Sequence, residues 1–397
     1  MPVTSAYLDH AASTPLRPAA RAALVEVLDE VPGNPSGQHR WARAARRRLD
    51  DARDQVAAAL GCRPSEVVVT SGGTEADNLA IAGASAGREG RPACVATDHH
   101  AVIEPVRALG GTVLSVDGRA RLDPGALDAW LAEHPAPSVL SVCVANNELG
   151  VVQPVLELVE VVRRRSPATA IHLDAVAAAA WLDLRPLVAE VDLVSISGHK
   201  VGGPKGSGVL VVRDGVELAP LLRGGAQERE RRSGTPDLAG AVATAVALEE
   251  AVAARVELVP RIAAWRDRLR DEVLAGVPAG TVVDTLDAAA DPAGPAPERV
   301  ANIVHLSCRG LHREALLFRL DEEGVAASAG SSCASGALEP SHVVRALGLA
   351  PDLADGSLRL SLGWCTTEAE VDHAIEVVVR VVAELHGAAL EAGRVPR

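Results

Sequence analysis

The chain has 397 residues, with 39 Lys+Arg against 52 Asp+Glu and a formal net charge of -13. Its length suits one large domain or two modest ones with a core that needs no disulfide staples, and 48% hydrophobic with 23% charged residues describes a soluble globular protein. The acidic balance argues against direct nucleic-acid binding, while the start MPVTSAYLDH lacks signal-peptide character and no long uninterrupted apolar run suggests a membrane span, so the cytoplasm is the expected compartment.

From about residue 20 to 255, strand-like apolar runs alternate with helix-like runs. Val67–Thr70 reads as a buried strand, followed by the turn Ser71-Gly72-Gly73 and a helix from Thr74 to Gly83. Small residues at such a turn let the backbone approach an anion, and the helix start supplies free N–H groups; a plain strand-to-helix turn explains the same pattern. Further strands are expected at 93–97, 111–116, 138–144, 170–174, 191–197 and 208–212. Strands alternating with helices imply right-handed crossovers and a mostly parallel sheet covered on both faces. Ligands of such sheets bind beyond the carboxyl ends of the strands.

His99 follows the strand at 93–97 and could shuttle a proton or stack on a ring, or serve structure alone. Asp174 closes the strand Ala170–Asp174; there it suits a cationic ring nitrogen, or equally caps the helix that follows. Ser195-Ile196-Ser197-Gly198-His199-Lys200 ends the next strand, with Ser197 and His199 able to donate to a phosphate. The chain contains two lysines, Lys200 and Lys205, and arginine cannot take over amine chemistry because its guanidinium stays protonated. A lysine for an aldehyde, an acid for a pyridinium and donors for a phosphate are the parts that pyridoxal phosphate needs.

Residues 239–273 form a long helical pattern, expected to break at Pro260, and 284–297 read as a surface loop. A shorter α/β pattern follows: strand 301–307, helix 312–323, a Gly/Ser-rich loop, helix 341–347, strand 358–362 and helix 368–385. The six cysteines show no CxxC pair and no zinc spacing, so no metal site is expected. Cys333 alone has unusual surroundings, Ser328-Ala329-Gly330-Ser331-Ser332-Cys333-Ala334-Ser335-Gly336, where access favours a reactive thiol. Arg359 is a charge inside an apolar strand, suited to a carboxylate ligand or to a buried ion pair.

Together these residues resemble the cysteine desulfurase family, of the class V aminotransferase fold, in its long-loop branch. The match runs from Tyr7-Leu8-Asp9-His10-Ala11-Ala12-Ser13-Thr14-Pro15 and Gly33-Asn34-Pro35-Ser36 through Ala145-Asn146-Asn147-Glu148-Leu149-Gly150 and Ser197-Gly198-His199-Lys200. It continues through Gly224-Gly225-Ala226-Gln227-Glu228, Arg232-Ser233-Gly234-Thr235, the Cys333 loop and Ser357 to Gly363. The resemblance implies a pyridoxal-phosphate transferase of type I fold: an α/β large domain over 16–255 with a mostly parallel sheet sandwiched by helices. A smaller α/β domain would comprise 1–15 and 256–397 and carry the reactive-cysteine loop.

By the same resemblance Lys200 bonds the cofactor and later serves as general base, Asp174 keeps the ring nitrogen protonated, and His99 stacks on the ring and helps transfer protons. Gly73, Thr74, Ser197 and His199 would hold the phosphate, with Thr235 reaching in from a second subunit of a homodimer. Arg359 and Asn147 would hold the substrate carboxylate, with Asn34 a further substrate-binding position. Cys333 would take sulfur from L-cysteine as a persulfide, release L-alanine and pass the sulfur to acceptor proteins. A selenocysteine lyase and a cofactor-bound sulfur-carrier scaffold with little turnover are the alternatives. One departure stands out: the family's Gln three residues after the ring-binding Asp is Ala177 here. Ser332 in place of the common Ala is a smaller one.

Overall fold

A computed structural model describes residues 5–288, 296–330 and 341–391. Twelve strands are present among them: β1 (Ala6–Tyr7), β2 (Val67–Thr70), β3 (Ala93–Val95), β4 (Thr112–Leu114), β5 (Val139–Cys143), β6 (Ala170–Asp174), β7 (Leu193–Ser197), β8 (Gly208–Val212), β9 (Val282–Asp284), β10 (Ile303–Cys308), β11 (Val325–Ala326) and β12 (Ser357–Ser361). Strands β2 to β8 form one seven-stranded sheet in the order β2-β8-β7-β6-β5-β3-β4. All its pairings are parallel except those of β8, which runs against both β2 and β7. Every residue of β2, β5, β6, β7 and β8 is buried. That fits their continuous apolar runs, because a parallel sheet covered on both faces has no solvent side to alternate with.

The helices that cover the sheet are locally specified. In Arg40–Leu60 the buried positions Ala42, Ala45, Leu49, Ala52, Val56 and Leu60 recur at helical spacing. His39 Nδ1 accepts the Ala42 N–H at 3.3 Å at its start, and Gly61, at φ 72°, ends it in the left-handed conformation.

Helix Leu238–Gly276 packs on helices Pro18–Glu30 and Arg40–Leu60 near its start and on β9, β10 and helix Glu368–Glu391 further along. The expected break at Pro260 does not occur: the helix runs through it. The carbonyl that proline cannot serve belongs to Val256, which is 84% exposed, so water can satisfy it, while Leu258, Ile262, Leu269 and Val273 keep the buried stripe continuous.

Beyond this helix lies a small C-terminal domain. Its sheet has the order β12-β10-β9, all antiparallel; helix Arg313–Glu322 packs on β12, and helix Glu368–Glu391 packs on that helix and on β1. β1 joins it by pairing in parallel with β11, and Asp9 bridges to Ser361 of β12. The chain's first described residues therefore sit beside strands more than 300 positions later. No helix among the described residues is long and apolar enough to cross a membrane.

Candidate active site

The carboxyl ends of β3, β5, β6 and β7 open into one cleft lined by Gly73, Thr74, His99, Asn147, Asp174, Ser197, His199, Lys200 and Arg359. Nine sequence-predicted site residues thus converge there, from segments spread over almost 290 positions. The cleft lies where ligands of parallel sheets bind, because the strand ends and the loops after them all point to one edge.

Asp174 ends β6 and is 6% exposed. The Val176 N–H donates to its Oδ1 at 2.9 Å, so it caps the following turn and lines the cleft at once. Burial pushes its pKa up to about 6, partly offset by that N–H and by the positive charge of Lys200. Lys200 stands on the short helix Gly198–Val201 directly after β7, and its Nζ donates to the Ala11 carbonyl. The strap around Ala11 also clasps this turn through Thr14 N–H to His199 O at 3.1 Å and Arg17 N–H to Gly202 O at 2.8 Å.

Two glycines shape the opposite wall. Gly72 has φ 141°, a conformation that favours glycine. A Cβ on Gly73 would lie 2.8 Å from Val176 Cγ2, so a larger residue would narrow the cleft. His99 caps helix His100–Ala108, its Nδ1 accepting the Ala101 N–H at 3.1 Å. Burial, with the charge of Lys200, holds the pKa of His99 down to about 4, and burial does the same for His199, so both rings are neutral at neutral pH.

Arg359, 1% exposed, forms an ion pair, Nη2 donating to Asp9 Oδ1 at 2.6 Å, and it also lines the cleft. Its Nη1 donates to the carbonyls of Asn147 at 3.1 Å and Gly330 at 3.3 Å, while Nε has no hydrogen-bond partner among the described residues.

Two predicted residues, Asn34 and Thr235, are not in the cleft lining: both are exposed, Asn34 accepting the Ser36 N–H at 2.9 Å. Cys333 lies outside the described residues, as does Ser332. Two lining residues escaped the sequence reading, Asp77 and Cys143. Asp77 reads as an ordinary acid near a helix start, and Cys143 as one more apolar strand residue; no local signal marks either.

The donor set fits pyridoxal phosphate. A single amine stands at the end of β7, a buried carboxyl with one oxygen still able to accept ends β6, and Thr74, Ser197 and His199 offer donors beside the Gly73 wall. The neighbouring Ala177 leaves a gap: it lines both the cleft and an adjoining pocket with Trp181, Leu258 and Asn302, whose Oδ1 has no partner among the described residues.

Residues 6–374 match the family model described as aminotransferase class-V. The chain is 41% identical to an IscS-like cysteine desulfurase of Mycobacterium tuberculosis, over 99% of this chain and 100% of that one. It is 35% identical to cysteine desulfurase IscS of Dictyoglomus turgidum, over 96% of this chain and 95% of that one. Among solved structures, a NifS-like protein superposes with a TM-score of 0.85 at 28% identity, covering 96% of this chain and 100% of that chain. The chain therefore belongs to the class V aminotransferases, a pyridoxal-phosphate-dependent family, and within it to the cysteine desulfurases.

Proposed function

We propose that the protein converts L-cysteine to L-alanine and carries the sulfur away as a persulfide on Cys333. The observation that carries this reading is the convergence of Lys200, Asp174 and Arg359 on one cleft in a chain that keeps Cys333 within a Gly/Ser-rich segment. Bound pyridoxal phosphate supplies an aldehyde for the amino group and a protonated ring that stores electrons released at Cα.

The chain's residues supply the rest. Lys200 would hold the cofactor's aldehyde and would take the Cα proton. Asp174, as the anion, would partner the ring nitrogen, and Gly73, Thr74, Ser197 and His199 would hold the phosphate. Arg359 and Asn147 bind the substrate carboxylate, a planar fork being suited to two oxygens. His99, neutral at neutral pH and with Nδ1 accepting the Ala101 N–H, would present its Nε2–H to the site as the donor in proton transfer. The Cys333 thiolate would bond to the substrate sulfur as the Cβ–S bond breaks, the bonding pair passing to Cβ, which takes up a proton; a persulfide is left on the protein and alanine departs.

The working unit is a homodimer, in which the exposed Thr235 reaches the partner's phosphate site, and Asn34 adds to substrate binding. We assign residues 16–255 to the cofactor-binding domain, and 1–15 with 256–397 to the small one. The persulfide goes to an acceptor protein in the cytoplasm, where free thiols such as Cys62 and Cys365 stay reduced. Purified holoenzyme given L-cysteine and a reductant should form alanine and sulfide, and Cys333→Ala should abolish both. Undiminished alanine formation in Cys333→Ala would point instead to direct elimination of the chalcogen, as in a selenocysteine lyase.

A further inference from the structure

Three carboxyl groups, Asp77 and Asp174 in the cleft lining and Asp98 next to them, interact with one another, and they are provided for unequally. Asp98 uses both oxygens on backbone donors, Cys143 N–H to Oδ1 at 2.7 Å and Val95 N–H to Oδ2 at 2.9 Å. Asp174 has the Val176 N–H and the nearby charge of Lys200. Asp77 stands on helix Gly73–Asn78, is 2% exposed and lines the cleft, yet its Oδ1 has no hydrogen-bond partner among the described residues. The Ser195 hydroxyl is close enough to its carboxyl to favour the ionised form, the one nearby group among the described residues that does so.

The nearest basic group to Asp77 is the ring of His172, whose Nε2 lies 3.7 Å from Oδ1. That ring is already engaged: Nδ1 is 2.8 Å from Ser141 Oγ and Nε2 is 2.9 Å from Ser195 Oγ. One hydroxyl donating and one accepting complete a neutral imidazole, and the ring has no exposure that would solvate a cation. A carboxylate buried beside Asp174 without a cation of its own would cost several kcal/mol. Taking up a proton removes that cost, and the group with the fewest donors takes it most readily.

We propose that Asp77 is a positioning residue that stands beside Asp174 as a neutral carboxylic acid, locked in place by the Ser141–His172–Ser195 chain, so that Asp174 carries the charge of the pair. Burial and the neighbouring charges of Asp174 and Asp98 all press Asp77 towards its protonated form. Burial also pushes His172 down to about 3, which places the proton on Asp77 rather than on the ring. The function of this arrangement rests on the reading of Asp174 as the partner of the ring nitrogen: a neutral neighbour keeps a second anion from competing for that proton.

Asp77→Asn keeps the shape and neutrality of the group, whereas Asp77→Ala removes it. Infrared difference spectra of the cofactor-free chain, wild type minus Asp77→Asn, should show a protonated-carboxyl stretch from wild type. In the holoenzymes, the visible cofactor band of Asp77→Asn should titrate with pH as in wild type. Asp77→Ala should shift that titration and weaken cofactor binding about tenfold, equivalent to about 1.4 kcal/mol. An ionised-carboxylate signal in place of the protonated one would overturn the proposal. So would an Asp77→Asn titration displaced as far as that of Asp77→Ala, or an Asp77→Ala variant indistinguishable from wild type. Should Asp77→Ala not fold, the spectra of Asp77→Asn decide the matter. Failure of the desulfurase reading would appear separately, as no alanine from the wild-type holoenzyme, and leaves the cofactor-free infrared result standing.

Discussion

Lys200 is one of two lysines in the chain, and it stands where the strand end, the turn and the N-terminal strap meet. Lys200→Arg keeps the positive charge beside Asp174 but cannot bond an aldehyde. The variant loaded with pyridoxal phosphate should lack the pH-sensitive visible band of the wild type; a persistent band would remove Lys200 from its role. Ala177 invites the converse experiment. The space beside it reaches Asn302, whose Oδ1, without a partner among the described residues, could accept from a glutamine amide. Ala177→Gln should therefore be accommodated and should shift the visible band or its titration, and identical spectra would show that the missing amide has no effect. At this scale the sequence displayed Lys200, Asp174 and His99 through their places at strand ends. Asp77 stayed hidden because its significance lies in neighbours 95 and 97 positions away, which no local pattern joins to it.

Among the elements, the segment before Thr235 is the most strained. Ala226, Glu228, Arg229 and Glu230 all have φ between 47° and 66°, and none is glycine. Each such position costs on the order of 1–3 kcal/mol. Glu228 ties the segment down through two long-range contacts: Arg53 Nη2 donates to its Oε1 at 2.6 Å, and Val69 N–H donates to its Oε2 at 3.0 Å. Both side chains of the ion pair are nearly inaccessible, at 6% and 1%. Glu228→Ala leaves Arg53 buried with only the half-exposed Asp50 as counter-ion, and should cost about 3–5 kcal/mol by chemical denaturation. A loss below about 1 kcal/mol would mean that the ion pair does not hold the turn. Here the sequence was legible in part. The bounds of β2, β6 and β8 match their apolar runs, because Val- and Ile-rich stretches between turn residues have no other use. β1, β9 and β11, of two or three residues, are too short to show a period, and exist because partners far along the chain complete them.

The molecule as a whole joins a seven-stranded sheet to a small antiparallel one through helix Leu238–Gly276, with the N-terminal strap crossing between them. The alternation of strands and helices made the large sheet readable. The return of residues 6–9 to β11 and β12 had no local mark, because pairing across more than 300 positions leaves none. If Thr235 serves the partner's site, Thr235→Ala and Lys200→Arg chains mixed in one dimer place both defects in one site and none in the other. Such mixed dimers should recover about half the wild-type activity per dimer, while each parent stays impaired; no recovery would place Thr235 in its own subunit's site. The central claim, that sulfur leaves cysteine by way of Cys333, is tested most directly by the mass of the Cys333 peptide after holoenzyme meets L-cysteine without reductant. One added sulfur on that peptide, matched by one alanine formed, is the expected result; alanine formed while the Cys333 peptide keeps its unmodified mass would contradict the account.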